Sequence, residues 1–203
     1  IGLPSFFMLS STMPEDVRHE KNYYDVSGCG ANIAWHTEND QLEIADRGVL
    51  MTDMKIYMLS TLRVANPEFL PFDWAATCDE FLATIAGYQA ASKGLADLSD
   101  CAAATEALKA SLAGLTTAAP AARNAVVQEL SRILVPINYT REARFRHDPA
   151  YTVPPLPTLA VAADLPDFTD DHMRRVAQVE LMRGKNRFLA AIDAARRLVV
   201  SAC

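Results

Sequence analysis

Apolar residues recur at three-and-four spacing along most of this chain, the rhythm of helices with one face turned to a core. Val49, Leu50, Met54, Tyr57, Met58 and Leu62 keep that rhythm behind Asp46, whose carboxylate can cap the first free N–H groups of a helix. The helix is predicted to run to about Ala65, because Asn66-Pro67 pushes the backbone out of the helical region. Asp73 is the predicted cap of a second helix striped by Phe81, Leu82, Ile85 and Tyr88. Ser99 is the predicted cap of a third, built on alanines with Leu108 and Leu112 and reaching about Leu115. Pro120 suits the first turn of a fourth, carrying Val126, Val127, Leu130, Ile133 and Leu134. From Pro136 to Pro166 the chain is proline-rich with little periodicity and reads as extended. Thr169 is the predicted cap of the last helix, through about Val200, with Met173, Val176, Val179, Leu181, Phe188, Ile192 and Leu198. At ~1.5 Å per residue that helix spans roughly 45 Å.

Before Asp46 the pattern differs. Ser5-Phe6-Phe7-Met8-Leu9-Ser10 reads as a strand buried on both faces, the kind found inside an α/β sheet. No alternation of strands and helices follows to supply parallel partners, so the strand reads as the edge of a domain lying upstream. Ser27-Gly28-Cys29-Gly30 permits a tight backbone path into Ala34-Trp35-His36-Thr37-Glu38-Asn39-Asp40. The expected fold is therefore mainly α, a helical bundle over residues 67–203, behind an α/β remnant over residues 1–66.

Composition narrows the function classes. The 203 residues are 50% hydrophobic and 22% charged, enough for one core or for a domain with part of a neighbour. A net charge of -6 without a basic run argues against a nucleic-acid partner, which needs a concentrated positive face. No apolar stretch approaches the roughly 20 residues of a membrane span. Ile1-Gly2-Leu3-Pro4 is not a signal peptide and has no starting Met, as if the chain were cut from something longer. Cys29, Cys78, Cys101 and Cys203 stand far apart with no CxxC pair, which excludes a zinc knuckle or a redox motif. They read as buried or free thiols in a reduced protein, and this leans towards the cytoplasm.

His36 is the residue to single out for chemistry. Alone in a His-Thr-x-x-Asp string, a histidine is more often structural than catalytic. His19, His147 and His172 do not pair with it at helical spacing, and one histidine cannot make a zinc site. Arg144, Arg146 and His147 with Asp148 form a possible anion site, though a loop anchored by ion pairs is the commoner outcome. Glu15-Asp16 and Glu43 with Asp46 read as helix-start or solvated acids. No serine or cysteine stands in a Gly-x-Ser-x-Gly context.

Ile33-Ala34-Trp35-His36-Thr37-Glu38-Asn39-Asp40 resembles the segment bearing the last metal-ligand histidine of the co-catalytic zinc aminopeptidases and glutamate carboxypeptidases. The order strand, glycine loop, histidine, aspartate and long helix is kept. Val64 to Asp73 resembles the junction of that helix with a transferrin-receptor-like dimerisation domain, and Arg132-Ile133-Leu134-Val135-Pro136 with Arg144-Phe145-Arg146-His147 resembles a turn near its end. The resemblance spans nearly the whole chain. It implies that His36 is a zinc ligand, and that the whole protein holds two zinc ions and hydrolyses peptides. In such enzymes the other ligands and a glutamate general base lie upstream, so this chain alone should be inactive and should not hold the zinc stably. It further implies a homodimer through the helical part, docked to an N-terminal peptidase domain, with loop 149–166 leaning over the substrate pocket. One departure matters. Glutamate-preferring members carry a Lys-Tyr pair in the stretch matching Tyr151 to Leu165, which has no lysine here, so an aminopeptidase or another specificity fits as well. The alternative is a non-catalytic helical dimerisation or receptor-type module in which His36 is a remnant; its retention argues against this.

Overall fold

The computed structural model describes residues 15–20, 22, 37–39, 41–143, 145–148 and 152–202. The expected strand at 5–10, together with Cys29, His36, Asp40, Arg144, Tyr151 and Cys203, lies outside the described residues. Among those described there are helices and no strand: α1 (Glu15–Glu20), α2 (Arg47–Ala65), α3 (Trp74–Ala91), α4 (Ser99–Leu112), α5 (Pro120–Tyr139), α6 (Val161–Asp164) and α7 (Asp171–Val200). The mainly α expectation holds. The chain divides into two compact units, one spanning Ser5–Pro67 and the other built on Glu68–Cys203.

In the first unit, Asp46 caps α2 as its position predicts, its side chain accepting from Val49 N at 2.8 Å. None of the helix's residues is buried. Val49, Leu50, Met51, Met54, Ile56, Tyr57, Met58, Leu59, Leu62 and Val64 are all exposed, and these positions run round the whole circumference rather than along one stripe.

In the second unit, α7 packs against α4, α5 and α6, while α3 packs against α4 and α6. The shared core contains Phe81 and Ile85 of α3, Leu108 of α4, Leu130 and Leu134 of α5, and Phe188, Ile192 and Val199 of α7. Phe81 and Phe188 meet edge to face at 6.2 Å between centroids, a geometry that adds about 1 kcal/mol to their burial. Asp73 caps α3 through Ala76 N at 2.9 Å, again as predicted. Side chains then fix the linkers to the bundle. Asn124 of α5 accepts from Leu70 N and donates to Glu68 O, both at 2.9 Å. Gln89 of α3 donates to Ala96 O and accepts from Leu98 N, both at 2.7 Å, bracing the turn into α4.

Several boundaries differ from the expectation, for local reasons. Ser99 is the first residue of α4 rather than its cap, and Asp97 takes the Ser99 N–H at 2.9 Å. Asp170, not Thr169, caps α7: its Oδ1 accepts from His172 N at 2.6 Å and Met173 N at 3.1 Å. Pro136 does not end α5, which continues to Tyr139. Leu134 and Ile137 flank the proline and are buried, so continued helix keeps both in the core despite the missing N–H. The proline-rich segment, expected to be extended, folds into α6 and a following 3-10 turn, Leu165–Asp167, with Leu156, Leu159, Ala162 and Leu165 wholly buried.

That segment is held tightly. Leu156 adopts the left-handed region at φ 49, and its N–H is shared between Asn138 O and Asn138 Oδ1, both at 3.3 Å. The strain costs on the order of 1 kcal/mol, offset by full burial of the leucine side chain. Tyr88 of α3 donates its hydroxyl to Pro155 O at 2.6 Å. Opposite, α7 presents Gly184, where a Cβ would stand 2.1 Å from Thr158 O. Only glycine lets the carbonyl come that close. Gly184→Ala is expected to destabilise this unit by about 3 kcal/mol, the upper end for overpacking because backbone rather than a side chain must move. The check is thermal unfolding by circular dichroism, with Tm lowered on the order of 10 °C; an unchanged Tm would contradict this account.

Candidate functional site

A cleft of about 720 Å³ runs along the first half of α7 in the helical unit. It accounts for part of a difference from the sequence, at Met173 and Val176. Met173, Val176 and Val179 keep the helical stripe that predicts burial, yet they are 47%, 42% and 42% exposed. The core side of α7 in this stretch is carried instead by Ala177, Leu181 and Gly184. Met173 and Val176 form part of the cleft's apolar floor with Pro157, Val161 and Phe168. A second cavity of about 480 Å³, lined in part by Pro136, Ile137 and Ala191, shares Glu142, Ala143, Arg146 and Arg187 with the first.

Arginines rim the cleft. Arg187 is half-buried and its guanidinium is fixed, Nη1 donating to Arg141 O at 2.6 Å and Nη2 to Thr140 Oγ1 at 2.9 Å. Thr140 is itself set by its hydroxyl, which donates to Pro136 O at 2.8 Å within the last turn of α5. Asp148 closes the loop beyond: its Oδ2 accepts from Arg141 N at 2.8 Å and from Glu142 N at 3.4 Å. A carboxylate facing two consecutive N–H groups satisfies them as a capping residue does. Arg183 pairs with Glu180 one turn away at 2.7 Å, and Arg174 spans Asp171 Oδ1 at 2.8 Å and Phe168 O at 2.6 Å. Asp164 faces the cleft from α6, and its charge, after burial, helps hold the Tyr88 hydroxyl above its ordinary pKa.

His36 and Asp40 lie outside the described residues. Thr37, Glu38 and Asn39 turn the chain, Asn39 N donating to Thr37 Oγ1 at 3.2 Å, and Gln41 Nε2 donates to Glu38 O at 2.7 Å. His19 sits on α1 with Glu15 at 3.8 Å, and His147 and His172 are exposed. Among the described residues no group of three or more His, Cys, Asp or Glu side chains is arranged to hold a metal ion. Glu15 and Asp16 stand in the first turn of α1 and Asp46 caps α2, as their spacing suggests. Arg146 lines the cleft, but Arg187, which lines both cavities, is not one that the sequence marks. Its only signal is its place four residues before Ala191 on the long helix; the loop it holds is remote in sequence.

No family model matches the chain, and no curated protein or solved structure matches it. No helix among the described residues is long and apolar enough to cross a membrane.

Cys78 and Cys101 are free, wholly buried thiols on α3 and α4. Burial first, then the neighbouring Asp79, pushes Cys78 up to about 11; burial, then Asp100, pushes Cys101 up to about 12. Neither is a nucleophile at neutral pH, since the thiolate is the reactive form. Both pKa values lie above the ordinary 9.0, so their contribution to stability is complete below pH 9.0 and is lost as pH rises through about 11 and 12, where the unfolded chain ionises first. Stability measured by urea unfolding is expected to fall across that window. Iodoacetamide at pH 8 followed by peptide mapping should leave Cys78 and Cys101 unmodified until denaturant is added; labelling of the native chain at either would refute the burial.

Proposed function

We propose that this chain is the C-terminal part of a co-catalytic zinc exopeptidase, its helical unit serving chiefly to form a homodimer. The observation that carries the reading is the string Ile33 to Asp40 in its setting. His36 precedes the capped 19-residue helix α2, and a histidine followed by a long helix is the order that the resemblance to such peptidases rests on. A further support is the surface of α2. A helix apolar all round belongs inside a larger core, and α2 bares ten large apolar side chains without a preferred face. An upstream α/β domain would enclose it.

In this reading His36 contributes one imidazole ligand to a two-zinc site whose remaining ligands and general base lie outside this sequence. Zinc supplies, when bound, an acidified water for peptide hydrolysis. The chain's own part is to set that imidazole through the turn behind it and to bring two copies together. The exposed apolar residues Val179 and Met182, neighbours on one face of α7, support self-association through the helical unit, isologous contact of one helix face being a simple two-fold interface.

Two measurements test the reading. The 203-residue chain should sediment as a dimer at micromolar concentration, and Val179→Asp, at an exposed position, should shift it to monomer without changing its helical content; a wild-type monomer removes the dimerisation role. In the whole protein that contains this chain, His36→Ala should lose about one zinc per subunit together with peptidase activity. Unchanged zinc and activity would leave an interaction module as the better account.

A further inference from the structure

The exopeptidase reading uses nothing of the groove between α3 and α5, and the groove's chemistry is independent of that reading. α3 packs against α4 and α6, and α5 against α7, so α3 and α5 leave an opening between them floored by buried Phe81 and Leu134. We propose that this groove binds a small primary alkylammonium ion, its charge on Glu80 and its hydrocarbon against Trp74, Val135 and Tyr139.

Charge selects a cation. Of the described residues that line the groove, Glu80 alone carries a formal charge, and its side chain has no ion pair or hydrogen bond among the described residues. The charged groups near it in sequence and across the groove are spoken for. Asp79 pairs with Lys109 of α4. Arg132 of α5 pairs with Glu129, and it lines the other cavity with Pro136 and Ile137. A bare metal ion finds too few ligands, since no group of three or more His, Cys, Asp or Glu side chains among the described residues is arranged to hold one. An ammonium needs less. It has three N–H donors, and Thr84, one turn beyond Glu80 on α3 and lining the same opening, offers a hydroxyl oxygen as a second acceptor.

Shape and surface select the rest of the molecule. The groove holds two adjoining cavities of about 400 and 110 Å³, which share Glu80, Phe81, Asn138 and Tyr139. That is the scale of a small molecule rather than of a docked helix. Tyr139 is 66% exposed, which leaves ring surface for a ligand to cover, and its face can also attract the cation. Trp74 is fixed in place, its Nε1 donating to Val127 O of α5 at 3.1 Å. Glu80 is itself exposed, so solvent screens its attraction, and the carboxylate contributes selectivity for charge rather than most of the affinity.

The experiment titrates the whole chain at pH 7 and low salt with n-hexylammonium, hexanol, hexanoate and Nα-acetyl-lysinamide. NMR follows the amides of Thr84 and Asn138 and the indole N–H of Trp74. Hexylammonium should bind with Kd in the millimolar range, and hexanol and hexanoate at least threefold more weakly. Glu80→Gln should weaken hexylammonium about threefold, the scale of an exposed ion pair, and leave hexanol unchanged. Ala83→Phe, which places a ring in the opening, should abolish binding of both. Both positions are exposed, and an unchanged Tm shows that the variants still fold. Equal or tighter binding of hexanol or hexanoate, binding unchanged in either variant, or no shift with hexylammonium would each overturn the proposal. Tighter binding of Nα-acetyl-lysinamide would overturn the free amine and assign a lysine side chain of a protein partner.

Discussion

The close approach of Thr158 to Gly184 is the constraint on which the helical unit turns. A 30-residue helix presents far more surface than one neighbour can cover, and α7 meets α4, α5 and α6 in turn. The last of these contacts needs backbone against backbone, since the residues leading into α6 bring a carbonyl to where any side chain on α7 would stand. With that contact made, Leu156, Leu159, Ala162 and Leu165 become wholly buried, and a proline-rich stretch that has little helical signal of its own becomes ordered. Leu156 accepts left-handed backbone in the process. Strain of this kind persists only where the surroundings over-determine it, and here Asn138 and Tyr88 supply the determination from α5 and α3.

The cleft follows from the same packing. Because residues 156–165 lie against the middle of α7, the helix's first turns are left flanked on one side only, with Met173 and Val176 uncovered. The loop after α5 must then be fixed without a core of its own. Asp148 does this through main-chain N–H groups, and Arg187 of α7 through Arg141 O and Thr140 Oγ1.

Much of the helical frame was legible in sequence because its signals are local. Asp46 and Asp73 each stand three residues before the N–H they satisfy, and that geometry needs nothing from the rest of the fold. Where two acceptors are adjacent the choice is not local: Asp170 wins over Thr169 by taking two N–H groups at once. Pro136 shows tertiary packing overriding a backbone rule, since buried Leu134 and Ile137 lie on either side of it. The apolar stripe of α7 marked a face but not how much of that face is covered, which depends on a segment with no periodicity. The place of Arg187 was illegible for the same reason. Arg187 reaches Arg141 across a separation of 46 residues, and no spacing rule connects them.

The two units make opposite demands on a partner. In the helical unit the large apolar side chains are mostly enclosed, and those left outside are confined to few places, so contact with another copy or a small ligand would suffice for them. For α2 no such limited contact suffices. Residues three and four apart share a face, yet Leu50, Met51, Ile56 and Leu59 fall on different sides of the helix, and a single partner surface covers one side at most. Association of two α2 helices through one seam would leave the opposite residues in water. Only a surround of several elements removes this surface, and a helix laid between a sheet and further structure is the common way to provide one. That requirement follows from the distribution of apolar residues around α2 and from no motif.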